Sequence, residues 1–294
     1  MSFFNVRIPG LAMTVIAADG QDVAPVEIDE FQIGNAETYD VIVEPKGGEA
    51  FAIVAEAMDR SGMGLAMLTS RPGARAVVPP LRKPPLLTMA DMGMDHSAHA
   101  GHGGGSMTMR DTARLPESVK AGPGLDMVAA NPVDRMGDPG IGLSEVGNRV
   151  LNYRQLVAAS PNPDTRRPSR SMQIHLTGSM HRYMWSFDGR KFSAVSDDPI
   201  RFALNERVRV MLVNDTMMAH PIHLHGHFFE LVNGAPTDLQ PRKHTLVVQP
   251  GGSAQFDLTA DAPGDWAFHC HLVYHMHAGM MQVVTVRPLS ANGA

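Results

Sequence analysis

From residue 172 to 286 the chain reads MQIHLTG (172–178), YMWSFDG (183–189), RVRVMLVND (207–215), HFFELVNG (227–234), HTLVVQPGG (244–252), AQFDLTA (254–260), WAFHCHLVYH (266–275) and MMQVVTV (280–286). Each run is rich in β-branched and aromatic residues, and Gly, Asp, Asn or Pro punctuates the gaps. That is the pattern of short strands joined by tight turns. Some eight strands at even spacing predict a complete β-sandwich or barrel. Residues 3–68 repeat the pattern in FNVRI, MTVIA, YDVIV and AFAIVA, cut at Pro9-Gly10, Asp19-Gly20 and Gly47-Gly48. About 65 residues is thin for a whole sandwich, so this stretch is expected to be the later part of one. The predicted fold class is all-β, with Greek-key sandwich or barrel domains, one partial (1–68) and one complete (136–294).

Between them, residues 69–135 change character. Pro72, Pro79, Pro80, Pro84, Pro85 and Gly103-Gly104-Gly105 preclude a regular element over most of this stretch. Inside it, TMADMGMDHSAHAGHGGGSMTM (88–109) holds five methionines and three histidines. Three readings stand: a linker with incidental methionines, a copper-collecting segment whose thioethers favour Cu(I), or a cap over a metal site. NRVLNYRQLVAAS (148–160) is predicted to form a short amphipathic helix that stops before Pro161.

The net charge is −5 among 294 residues, so no basic field points to nucleic acid or an anionic membrane. No apolar run approaches the roughly 20 residues needed to span a bilayer. MSFFNVRIPG (1–10) lacks the basic and apolar regions of an export signal. One cysteine against 21 Met and 14 His rules out an intrachain disulfide. Thioether and imidazole beside a single thiolate suit copper best among common metals.

Two motifs carry the chemistry: His220-Pro221-Ile222-His223-Leu224-His225-Gly226, and the run His269-Cys270-His271 through His275 to Met280. Side chains on a strand alternate faces, so Cys270 points away from His269 and His271. One metal cannot take all three, and two adjoining metal sites are implied. On the Cys side, His275 and Met280 follow at five and ten residues, and Gly279 lets the chain fold back. His220 completes a His₂Cys set with an axial Met, the blue-copper (type 1) arrangement. On the other side, His223 and His225 join His269 and His271, four imidazoles able to converge. Leaving them as plain core residues would require four desolvated rings, each with a partner. A mononuclear zinc hydrolase explains the HxxHxH spacing but gives the Cys and Met no role.

Together these motifs resemble the C-terminal copper-binding domain of the multicopper oxidases, a family of linked cupredoxin domains. Residues 171–287 resemble it closely. VRIPGLAMTVIAADGQDV and ETYDVIVEP resemble the end of the family's middle domain. The Met/His-rich insert and DTMMAHPIHLHG resemble the periplasmic copper-resistance oxidases in particular. The resemblance makes His220, Cys270, His275 and Met280 the type 1 ligands, His223 a type 2 ligand, and His225, His269 and His271 type 3 ligands. It implies an electron donor, Cu(I) or a phenol, that reduces type 1 copper. A Cys–His bridge, Cys270 with His269 and His271, then conducts to a trinuclear cluster that reduces O₂ to water. It also implies a periplasmic location.

The family's cluster takes eight histidines, four from two His-x-His motifs in a first domain. The remaining histidines here (His96, His99, His102, His175, His181, His227, His244 and His277) supply no further independent pair. A first domain, in a longer chain or on a separate one, is therefore expected to complete the cluster. A copper-binding or electron-transfer module without O₂ turnover, or an inactive remnant, is the alternative. Asp215 is expected either to serve a proton or imidazole near the type 1 edge or to be a turn residue. Met217 and Met218 either line the way to copper or simply pack. Trp185 and Trp266 read as core aromatics, with electron relays as the alternative, His175 as satisfied or exposed, His181 likewise, and His244 as solvated loop. His227 and His277 adjoin ligands and are expected to support them.

Overall fold

The computed structural model describes residues 3–86, 110–129, 131–194 and 197–288. The Met/His-rich stretch 88–109 lies outside the described residues. Two compact units form. The first comprises residues 1–87, 136–162 and 233–241, and the second 88–135, 163–232 and 242–294.

The first unit contains β1 (Phe4–Arg7), β2 (Met13–Ala18), β3 (Gln21–Ile28), β4 (Glu30–Ile33), β5 (Tyr39–Ile42), β6 (Phe51–Ala57) and β7 (Met63–Leu68). They make a four-stranded sheet, β4-β1-β6-β7, and a three-stranded sheet, β3-β2-β5. Pro25 sits in β3, an edge strand, where a missing N–H leaves one side of the ladder unharmed. Ile8, Met13, Val15, Ile28 and Phe31 form the core together with Leu151 and Leu156.

Those two leucines correct two expectations. Residues 148–160 are not a helix: only Tyr153–Gln155 turn, as one 3-10 turn closed by a capping box from Asn152. The flanking backbone is spent on strands instead, with Leu151 N–H donating to Glu30 O and Ala24 N–H to Val157 O. Hydrogen bonding to a distant strand and burial of Leu151 and Leu156 outweigh the local helical pattern. For the same reason residues 136–162 group with the first unit, so its boundary falls later than the composition of 69–135 suggests.

A buried ion cluster fastens the Pro-rich stretch after β7. Arg82 reaches Glu30 and Glu56, both fully buried, and Arg7 and Arg60 also face Glu56. Three guanidiniums, that of Arg82 partly exposed, thereby share two buried carboxylates, where an unpaired buried charge would cost several kcal/mol.

The second unit contains β8 (Arg170–Ser179), β9 (Met184–Phe187), β10 (Ile200–Ala203), β11 (Arg207–Asn214), β12 (His220–Leu224), β13 (Phe229–Leu231), β14 (Arg242–Lys243), β15 (Thr245–Val248), β16 (Ser253–Thr259), β17 (Gly264–Cys270) and β18 (Met281–Arg287). One short helix, α1 (Val273–His277), interrupts them after β17. A six-stranded sheet, β14-β13-β16-β11-β8-β9, packs on a five-stranded one, β10-β18-β17-β12-β15. Ile174, Val210, Phe256 and Leu258 of the first meet Phe202, Leu224, Phe268 and Val284 of the second. The alternation seen in RVRVMLVND is the reason: Val208, Val210 and Leu212 all turn inward. The pairs β11–β8 and β10–β18 are parallel among otherwise antiparallel ladders.

Candidate metal centre

β12 and β17 lie side by side in antiparallel register, with Ile222 opposite Cys270 and His223 opposite His269. Period-2 alternation then sorts the motif residues. His220, Ile222 and Cys270 share the inner face of the sheet, while His223 and His269 share the outer face.

On the inner face, Cys270 Sγ lies 3.6 Å from His220 Nδ1 and 3.8 Å from His275 Nδ1, and the two nitrogens are 3.1 Å apart. A point in the plane of these atoms is about 2.0 Å from each, close to the length of a metal–imidazole bond. Cys270, His220 and Met280 are fully buried, and His275 is 2 % exposed. α1 delivers His275. The chain then turns at Gly279 (φ +127°), where an added methyl would meet the Trp185 carbonyl oxygen at 2.7 Å. That turn ties Met280 to both neighbours: its N–H donates to His275 O, and its carbonyl accepts from Cys270 N–H.

Burial sets the protonation of this group. It pushes the Cys270 thiol up to about 12 and His275 down to about 4. His220 is held well below the usual imidazole range, by burial first and the nearby His275 second. Neutral imidazoles offer lone pairs, and a thiolate here requires a cation to offset its desolvation. A soft divalent or monovalent metal fits this donor set.

Other side chains hold the ligands in place. His220 Nε2 is 2.7 Å from Thr216 Oγ1, which in turn donates to Asn214 Oδ1 at 2.8 Å. Nε2 therefore carries the proton, and Nδ1 faces the thiol with a free lone pair. Trp185 lies flat against the His275 ring, 4.2 Å between centroids. Thr216 lies within DTMMAHPIHLHG and Trp185 reads as a core aromatic, and neither residue type signals these roles in the sequence.

On the outer face four imidazoles gather. His225 Nε2 and His269 Nε2 are 3.1 Å apart, and ring centroids fall at 4.7 Å for His223–His225, 5.7 Å for His223–His271 and 5.4 Å for His269–His271. Carbonyl acceptors fix two tautomers. His223 Nδ1 donates to His244 O at 2.9 Å, and His269 Nδ1 to Cys270 O at 3.1 Å, leaving both Nε2 atoms as lone pairs. His271 Nδ1 is buried with no hydrogen-bond partner, an orphan a metal ion would satisfy. Burial lowers His223 to about 4 and lowers His269 too. Among the described residues, only His220, Cys270 and His275 bring three donor atoms within 4.8 Å of one another.

The remaining histidines sort as follows. His244 is not solvated loop: β15 pairs with β12, so its ring packs 4.9 Å from that of His223. His227 is buried, and its Nδ1 donates to His225 O, bracing the turn after the motif. His277 and His181 are exposed. Asp215 is buried, and it holds an imidazole that is not a ligand: Oδ2 lies 2.5 Å from His175 Nδ1, while Oδ1 accepts from Ala129 N–H. His175 is thus satisfied.

A two-sheet β-sandwich with a buried Cys-His₂ trio defines the class: a metal-binding β protein of cupredoxin type. Residues 165–290 and 1–72 match two family models, both described as multicopper oxidase. The chain belongs to the multicopper oxidase family, whose cofactor is copper. It is 45 % identical to a copper resistance protein A homolog of Pseudomonas syringae pv. tomato, over 97 % of this chain and 52 % of that protein. It is likewise 45 % identical to copper resistance protein A of Escherichia coli, over 97 % and 54 %. Multicopper oxidase MmcO of Mycobacterium tuberculosis is 30 % identical over 94 % and 42 %. The chain therefore spans about half the length of these curated relatives. Among solved structures, Fet3p, a multicopper oxidase that functions in iron import, superposes with a TM-score of 0.62. The identity is 17 %, over 97 % of this chain and 53 % of that one. No helix among the described residues is long and apolar enough to cross a membrane.

Proposed function

We propose that His220, Cys270, His275 and Met280 hold type 1 copper, that His223 is a type 2 ligand, and that His225, His269 and His271 are type 3 ligands. The observation that carries this is the Cys270–His220–His275 triangle, with the two neighbours of Cys270 turned to the opposite face. Copper supplies one-electron chemistry when bound. The protein's part is to bury the thiol, present neutral imidazoles and join the two faces through one strand. Cys270 and its flanking histidines make the shortest covalent path between them. We infer an oxidase that takes electrons one at a time from Cu(I) or a phenolic donor and reduces O₂ to water, acting in copper resistance. Imidazoles beyond these four would complete the cluster, from a further domain of a longer protein or from a separate chain. The periplasm is the compartment this assignment implies.

A second reading is favoured by the looser outer face, where no three donor atoms come as close as those of the Cys270 trio. It is a copper-binding or electron-transfer module that does not turn over O₂. Reconstitution with copper, a metal count and oxygen uptake separate the two. One blue copper without oxygen consumption supports the module; close to four coppers per active unit with oxygen uptake supports the oxidase.

A further inference from the structure

A donor in solvent can touch neither imidazole of the Cys270 site. His220 is fully buried with its outer nitrogen bonded to Thr216, and His275 is covered by Trp185, itself 3 % exposed. From Trp185 the ring contacts continue outward. Tyr274 meets Trp185 edge-on at 5.7 Å, and Tyr183 meets Tyr274 edge-on at 6.2 Å. Tyr274 is 47 % exposed and Tyr183 is 63 % exposed. Four rings thus run in contact from solvent to the ligand imidazole. Tyr183 also sits in the left-handed region (φ +48°), a strained conformation for a bulky residue.

We propose that Tyr183, Tyr274 and Trp185 form the electron-entry path to His275, with the two tyrosines as the contact for an aromatic donor of phenol type. Aromatic faces and edges match such a donor by offset or edge-on stacking. Each transfer removes one electron from the donor and delivers it to a cupric ion held by Cys270, His220 and His275. The rings conduct and are unchanged in net. No covalent bond forms or breaks, and a phenol releases its proton to water.

This path rests on the copper assignment under Proposed function, and the test keeps the two apart. The copper-loaded chain is mixed anaerobically with hydroquinone, and bleaching of the blue band is timed for wild type, Y274L, Y183L, W185F and M217L. Both tyrosine variants should keep the position and intensity of the blue band and its reduction potential, yet bleach about tenfold more slowly or worse. Tryptophan emission provides a readout without turnover: loading Cu(II) should quench the Trp185 component, and W185F should lack that component. Tyrosine variants that bleach within about twofold of wild type, slowing in M217L instead, or unquenched Trp185 emission would overturn the path. Y274L and Y183L alter exposed rings, so the test stands even if W185F folds poorly. A wild-type chain that never turns blue removes the copper assignment and the path with it. A blue chain with unaffected tyrosine variants removes the path alone.

Discussion

Replacing Thr216 by Val keeps the shape of the side chain and deletes one hydroxyl. In the wild type that hydroxyl accepts the His220 Nε2 proton at 2.7 Å and donates to Asn214 Oδ1 at 2.8 Å, all of it buried. T216V leaves the Nε2–H without a partner in a site closed to water, at a cost of about 1–3 kcal/mol. The copper-free protein can relieve part of this by moving the proton to Nδ1. The copper-bound protein cannot, because Nδ1 is then the ligand atom. Most of the loss should therefore appear as weaker copper binding, roughly 10- to 100-fold, as for other groups that orient a ligating histidine. T216S restores the hydroxyl and should restore most of the affinity. The assay is a competitive copper titration against a chelator, paired with urea unfolding of the copper-free chain. Equal affinity within about twofold for wild type and T216V would refute the idea that this bond fixes the ligand tautomer.

Three further outcomes follow from the same structure. The Cys270 thiol at about 12 and His275 at about 4 bracket neutral pH. Binding one copper at this site should release one proton there, so affinity should rise about tenfold per pH unit from about pH 5 to 8. Calorimetry in buffers of different ionisation enthalpy counts that proton. Burial holds Asp188 up at about 6 against an ordinary 3.8. A raised carboxyl pKa stabilises below about pH 4 and loses that contribution as pH rises through 6, so D188N should gain about 3 kcal/mol on wild type across the window. Urea unfolding of both proteins against pH checks this. R82M removes a cation shared by Glu30 and Glu56, while Arg7 and Arg60 remain. It should destabilise the first unit by about 3 kcal/mol, the low end for a broken buried pair, as read by limited proteolysis of residues 1–87.

The strands of residues 172–286 were legible because each shows alternation or a short apolar run between turn residues. The Cys270 ligand set was legible because three of its members lie within eleven residues, with Gly279 marking the turn that returns Met280. What escaped depends on distant pairing. Residues 148–160 read locally as a short amphipathic helix, yet strands β3 and β4 claim the backbone on either side. His244 reads as loop beside Arg242 and Lys243 until β15 pairs with β12 and sets it against His223. Thr216 reaches the His220 ring through the bend before β12, and Trp185 on β9 meets His275 on α1 only through tertiary packing, neither of which a local pattern encodes. Asp215 reads either as a group serving a proton or an imidazole near the type 1 edge or as a turn residue, and the imidazole it holds is that of His175, not of a ligand.

Loading the purified chain with Cu(II) and recording its visible and paramagnetic spectra tests the Cys270 site most directly. One intense blue band per chain, bleached by a reductant and abolished in C270S, is the predicted result. A chain that binds Cu(II) without that band, or keeps it in C270S, would contradict the assignment of His220, Cys270, His275 and Met280 to type 1 copper.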